Sequence, residues 1–157
     1  MHYRHRPFLT AAIELSRLSV DRGGGPFGAV VVRQGEIIGR GHNQVTLLQD
    51  PTAHAEVLAI REACQTLQSF QLKNCDLYTS CEPCPMCLGA IYWARLRCVY
   101  YANSRKDAAS IGFDDQFIYE ELSKAGGDRR IPCYAVPDPE ALAIFQRWQQ
   151  LTHKTPY

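Results

Sequence analysis

The chemistry in this sequence is concentrated in two short stretches. His54 and Glu56 stand two residues apart, just after Asp50-Pro51-Thr52, and Cys84 and Cys87 lie within Pro83-Cys84-Pro85-Met86-Cys87. One imidazole and two thiolates leave one corner of a tetrahedral ion open, as a catalytic zinc requires, whereas four protein ligands would close it. Cys84 and Cys87 are spaced i, i+3, so at a helix start they share a face and can share a metal. The helix N-terminus and the metal both favour the thiolate form. His54 and Glu56 would point to nearly opposite faces inside a helix. They converge only at a helix end, with the metal off the first turn. Glu56 is then a neighbour of a metal-held water rather than a further ligand. Zinc can lower the pKa of such a water from about 15.7 to about 7, and an adjacent carboxylate can take that proton and deliver it elsewhere.

Each piece alone carries little. A lone CxxC is often structural zinc or redox, and a lone histidine is more often a surface residue than a ligand. Their joint occurrence at two proline-flanked helix starts points to a catalytic metal. Cys81 extends the run to CxxCxxC, which overlaps iron–sulfur spacing. No fourth cysteine follows at suitable spacing and His54 already completes a zinc set, so Cys81 reads as packing beneath the site. Cys64, Cys75, Cys98 and Cys133 read as small core residues. His2, His5, His42 and His153 have no paired ligand spacing.

The elements that must position these residues follow from periodicity. Residues 7–22 carry Leu9, Ala12, Ile13, Ser16 and Val20 at helical spacing and stop at Gly23-Gly24-Gly25-Pro26. Residues 28–33 form an uninterrupted β-branched run, expected to be buried on both faces. A tight connection at Gln34-Gly35 returns the chain as a second strand over 36–40. Residues 41–52 read as a loop. Helices are expected over 53–67, 85–94, 113–124 and 140–151. Strands are expected over 76–79, 98–101 and, interrupted by Pro132, 131–136. Alternating strands and helices imply an α/β chain: a three-layer α/β/α sandwich with a mixed sheet of about five strands. With 157 residues, the expectation is a single domain spanning 1–157.

Composition removes several classes. Apolar residues are 46% and charged residues 21% of the chain, which excludes a wholly disordered or fibrous chain. Seventeen Lys and Arg against sixteen Asp and Glu leave a net charge of +1, no footprint for extended nucleic-acid binding. The run between Glu82 and Arg95 is too short to span a bilayer, so no membrane association is expected. The basic start leads into an amphipathic helix rather than a signal peptide. Seven cysteines, an odd number with three clustered, argue for metal chemistry in a reducing, cytoplasmic setting.

The motifs resemble the zinc-dependent cytidine-deaminase superfamily. Asp50-Pro51-Thr52-Ala53-His54-Ala55-Glu56 and Thr79-Ser80-Cys81-Glu82-Pro83-Cys84-Pro85-Met86-Cys87 are similar to its metal signature. Gly24-Gly25-Pro26-Phe27-Gly28-Ala29, Leu88-Gly89-Ala90-Ile91-Tyr92-Trp93-Ala94, the stretch from Gly112-Phe113-Asp114-Asp115 to Tyr119, and the terminal Tyr157 resemble the superfamily's bacterial guanine-deaminase branch. The resemblance covers nearly the whole chain. It implies an aminohydrolase with about one zinc per chain, held by His54, Cys84 and Cys87, that converts guanine to xanthine and ammonia. In this reading Glu56 shuttles protons. Asn43 hydrogen-bonds the base, and Phe27 and Trp93 form an aromatic pocket suited to a flat purine. Asp115 faces the N–H donors of the guanine edge, in binding or in proton transfer. Tyr157 closes the pocket of a partner subunit through a swapped C-terminal segment, giving a homodimer. The bland alternatives are a loop cap for Asn43, core packing for Phe27 and Trp93, a solvated helix start for Asp115 and a loose terminus for Tyr157.

Three further functions compete. A tRNA adenosine deaminase would share the zinc motifs, but residues 141–151 carry one basic residue, Arg147, a weak footprint for RNA. A deaminase of another aminated heterocycle, such as cytosine or ammeline, would differ only in its pocket loops. A non-catalytic zinc domain would bind the metal and turn nothing over.

Overall fold

The computed structural model describes residues 4–157; His2 lies outside them. Pro7 sits in the first turn of helix α1 (Arg6–Asp21), where its missing N–H costs no hydrogen bond. Strands β1 (Gly28–Arg33) and β2 (Glu36–His42) pair antiparallel. Gln34 and Gly35 both take positive φ, 52° and 86°, as a two-residue hairpin turn of the primed type demands. A short helix α2 (Val45–Leu48) breaks the loop that follows. The order continues with α3 (Ala55–Leu67), β3 (Cys75–Cys81), α4 (Pro85–Trp93), β4 (Cys98–Asn103), α5 (Arg105–Ser110), α6 (Gln116–Ser123), a 3-10 turn at Gly126–Asp128 and α7 (Pro139–Gln150).

The sheet has the order β2-β1-β3-β4. β1 pairs antiparallel with β3, while β3 and β4 run parallel around the α4 crossover, so the sheet is mixed. The valine run is buried on both faces, as its lack of alternation predicts. Val30 and Val32 pack with Tyr78 against Phe8, Leu9 and Leu15 of α1. Ala29 and Val31 pack with Leu77 against Ala55, Ala59, Ile60 and Ala63 of α3 and Ile91 of α4. α1 covers one face and α3 and α4 the other, which is the three-layer arrangement. β2 meets α3 at unusually short range because Gly39 and Gly41, two apart and so on one face, present no side chain there. A Cβ on either would stand 2.3 Å or 2.1 Å from a carbonyl oxygen of α3.

Two expectations need correction. Among the described residues the sheet has four strands rather than about five, because residues 131–136 form no strand. Pro132 supplies no ladder donor. Cys133, read as core, is exposed in consequence, whereas Cys75 is buried and Cys64 and Cys98 are partly buried. Helix α5 was not expected either; its signal was the capping box between Ser104 and Asp107.

The chain divides into two compact units, one reaching Gln116 and the other Phe117–Tyr157. The first holds the sheet, its covering helices and every buried side chain among the described residues. The second holds α6 and α7 and no buried residue. Among the described residues, no helix is long and apolar enough to cross a membrane.

Candidate functional site

His54 and Cys84 are the N-cap residues of α3 and α4, both with extended backbone (ψ of 152° and 169°). Neither side chain caps its own helix, so both are free to face each other. Cys87 follows on the first turn of α4 and Glu56 on the first turn of α3. The two helix starts therefore meet, as the spacing of these residues required. The His54 Nδ1 atom stands 3.6 Å from Cys84 Sγ and 3.4 Å from Cys87 Sγ, and the three ligand atoms lie within 4.8 Å of one another. A tetrahedral zinc with ordinary Zn–N and Zn–S bonds needs N···S separations of about 3.6 Å. Donor type and geometry both fit zinc, with one corner left open.

The electrostatics agree. Both helix N-termini direct partial positive charge at the site. A hydrogen bond from Cys87, with His54 assisting, lowers the Cys84 thiol to about 4. Cys87 is displaced upward because the two sulfurs share one proton and Cys87 is buried. The Cys84 sulfur also raises His54. Such a cluster has a thiolate in place for a cation.

Glu56 is only 5% exposed. Its Oε1 accepts a hydrogen bond from Thr79 Oγ1 at 3.2 Å, and its Oε2 lies 3.4 Å from Cys87 Sγ. Burial raises its pKa above the ordinary carboxylate range, which suits a group that must both take and give a proton near neutrality. Thr79 on β3 was missed by sequence reasoning. Its signal was its position two residues before Cys81, which puts it on the site face of the strand.

The substrate-side residues fall into three groups. Asn43 is buried, and its Oδ1 accepts from Gly25 N and Val45 N, both at 3.3 Å. Its backbone oxygen accepts from Ser19 Oγ at 2.8 Å. It does cap a loop, and that capping fixes its amide plane and leaves the NH2 as donor. Asp115 is partly buried. Burial, then the charge of Cys84, raises its pKa, and its own charge acts on His54. Phe27 meets Phe113 edge to face at 4.9 Å. Trp93 is 61% exposed and stands at the far end of α4, about 13 Å along the axis from Cys84. Tyr157 is 74% exposed and belongs to the second unit. Cys81 is buried outside the ligand cluster and points to Ser104 O at 3.6 Å, and burial lifts its thiol to about 11.

The family described as the cytidine and deoxycytidylate deaminase zinc-binding region matches residues 2–103. The chain belongs to that family. It is a zinc-dependent deaminase, and Zn2+ is its metal. The guanine deaminase of Bacillus subtilis strain 168 is 55% identical over 154 residues, covering 98% of this chain and 99% of that protein. An X-ray structure of guanine deaminase from Bacillus subtilis superposes with a TM-score of 0.95 at 55% identity, covering 98% of both chains. The tRNA-specific adenosine deaminase of Aquifex aeolicus is 44% identical over 95 residues, covering 60% of this deaminase and 63% of that protein.

Proposed function

We propose that this deaminase hydrolyses guanine to xanthine and ammonia. The observation that carries the reading is the likeness to a guanine deaminase over 98% of the chain, where the likeness to the tRNA deaminase covers 60%. Zinc held by His54, Cys84 and Cys87 supplies a Lewis acid that lowers the pKa of water from about 15.7 toward 7. Glu56 accepts a proton from the attacking water and passes it to a ring nitrogen of the purine. It then takes the second proton from the new hydroxyl on the attacked carbon, which becomes the carbonyl, and gives it to the departing amine, so that one water is consumed and one ammonia leaves. Thr79 anchors one carboxylate oxygen and so keeps the other turned to the Cys87 sulfur. The Asn43 NH2 donates to the base, and Phe27 offers a ring face for stacking. Asp115 accepts from the N–H donors on the guanine edge, which adenine and cytosine present differently.

The working unit in this reading is a homodimer. α4 carries no charged residue, yet only Cys87 and Ile91 of it are buried, and Tyr92 and Trp93 are exposed. A charge-free helix half in solvent suits a partner surface, and Trp93 then serves a pocket in the other copy. The domain over 1–157 exchanges its C-terminal segment in the same assembly. Exposed Ile131, Tyr134, Val136 and Phe145 support burial of that segment by a second chain, with Tyr157 closing the partner's pocket. Cysteines that are all free fit a cytoplasmic setting. Ammonia release from guanine, cytosine, cytidine, adenine and ammeline tests the substrate. Guanine should turn over with kcat/KM at least about tenfold above the rest; silence on guanine with turnover of another ring overturns the assignment.

A further inference from the structure

The metal loop between β3 and α4 is joined to a second segment that the reaction scheme does not use. Glu82 stands two residues before Cys84. Its Oε2 accepts from Arg105 N at 3.1 Å, its Oε1 lies 3.8 Å from Arg105 Nε, and its own N–H donates to Asn103 O at 2.8 Å. One residue thus grips the chain on both sides of Ser104. Ser104 is itself engaged, since its carbonyl faces the Cys81 thiol and its hydroxyl forms the capping box with Asp107. From this anchor the strap 104–115 runs through α5 and the left-handed Gly112 (φ 93°) to Phe113 and Asp115. Phe113 and Phe27 meet edge to face, and the charge of Arg105 acts on Asp115.

We propose that Glu82 is a positioning residue for substrate selection, holding Arg105 so that the strap 104–115 delivers Asp115 to the metal cluster. The inference rests on the reading of Asp115 as a substrate contact. Glu82 touches neither substrate nor metal; it works through the backbone at Arg105. The same carboxylate couples the strand that ends in the metal loop to the segment that reads the base, so loss of its grip loosens the second without removing a ligand. Both Glu82 and Arg105 are partly exposed (side chains 24% and 43%). The exposed ion pair contributes little, and the backbone hydrogen bond carries the effect.

The test uses the full-length zinc-loaded chain, with zinc content, kcat and KM for guanine measured in Glu82→Ala, Glu82→Gln, Asp115→Asn and the double variant Glu82→Ala/Asp115→Asn. Glu82→Ala should lower kcat/KM about tenfold, mainly through KM, with zinc unchanged. Glu82→Gln keeps an oxygen for Arg105 N and should recover to within about threefold of the parent. In the Asp115→Asn background, Glu82→Ala should add less than about twofold, because the two act as one unit. A full multiplicative penalty in that background overturns the proposal, as does unchanged KM in Glu82→Ala or loss of zinc from it. If Asp115→Asn alone is kinetically silent, the reading of Asp115 fails and takes the proposal with it.

Discussion

Gly41→Ala should damage the active site without touching any residue in it. A Cβ at Gly41 would lie 2.1 Å from the Ala55 carbonyl oxygen and 2.7 Å from Ala59 N. Ordinary contact begins near 3.4 Å, so β2 and the start of α3 must part by about 1.3 Å. Ala55 is flanked by His54 and Glu56, and the shift reaches both. Overpacking of this kind costs about 3 kcal/mol, which in a chain of this size lowers Tm by roughly 6–12 °C. A displacement of about 1 Å in a reacting group can cost about a hundredfold in rate. The comparison is Gly35→Ala in the β-hairpin, where φ is 86° and nothing lies within 4 Å of the new Cβ. That change costs about 1–2 kcal/mol of backbone strain and should leave zinc content and kcat at parent values. Thermal unfolding, metal analysis and ammonia release, run on both, separate general destabilisation from a displaced site. Gly41→Ala with parent stability, parent zinc and parent kcat would refute the claim that the glycine contact sets where α3 begins.

Three further outcomes follow from the same geometry. Glu56→Gln should keep its zinc, as shown by metal analysis, while kcat for ammonia release falls by about 10²–10⁴; a fall under about threefold would remove Glu56 from proton transfer. Cys84→Ser should lose zinc on dialysis along with activity, because the cluster then lacks the sulfur that is already ionised near neutrality; abundant iron and sulfide in the parent protein would instead speak for a cluster. Burial, helped by Asp76, pushes the Tyr78 phenol up to about 12. The folded chain therefore holds that proton more tightly than the unfolded one, so the associated stability is whole below about pH 10 and drains away as the pH climbs toward 12. Tyr78→Phe should flatten that alkaline fall in denaturant titrations.

The metal cluster was legible because its constraints are local. A His–x–Glu and a Cys–x–x–Cys are resolved only at helix starts, and proline marks both. The valine run of β1 was legible for a similar reason, since missing alternation means two buried faces. The strand expected over 131–136 failed where long-range partners decide. Apolar content alone could not supply a neighbour, and Pro132 removed a donor. α5 was missed because its signal is a polar cap rather than an apolar stripe, and Ser104-x-x-Asp107 is easily passed over between two apolar segments. Gly41 matters through what lies across from it on α3, which no spacing along the chain reveals, and Thr79 was marked only by its register on β3, two residues before Cys81. Trp93 shows the limit of carrying a role by motif, because the helix that places it also takes it away from its own metal cluster.

The ligands arrive from two helix ends thirty positions apart in the sequence, so an ion at the cluster is also a rivet through the fold. It fastens the entrance of α3 to the entrance of α4 and closes the intervening β3 segment into a ring. Closing a ring of that size by any cross-link removes about 3–4 kcal/mol of freedom from the unfolded chain. An ion held by these three residues would thus clamp the scaffold as well as serve the chemistry, and resistance to unravelling and readiness for reaction would rise and fall together with metal supply.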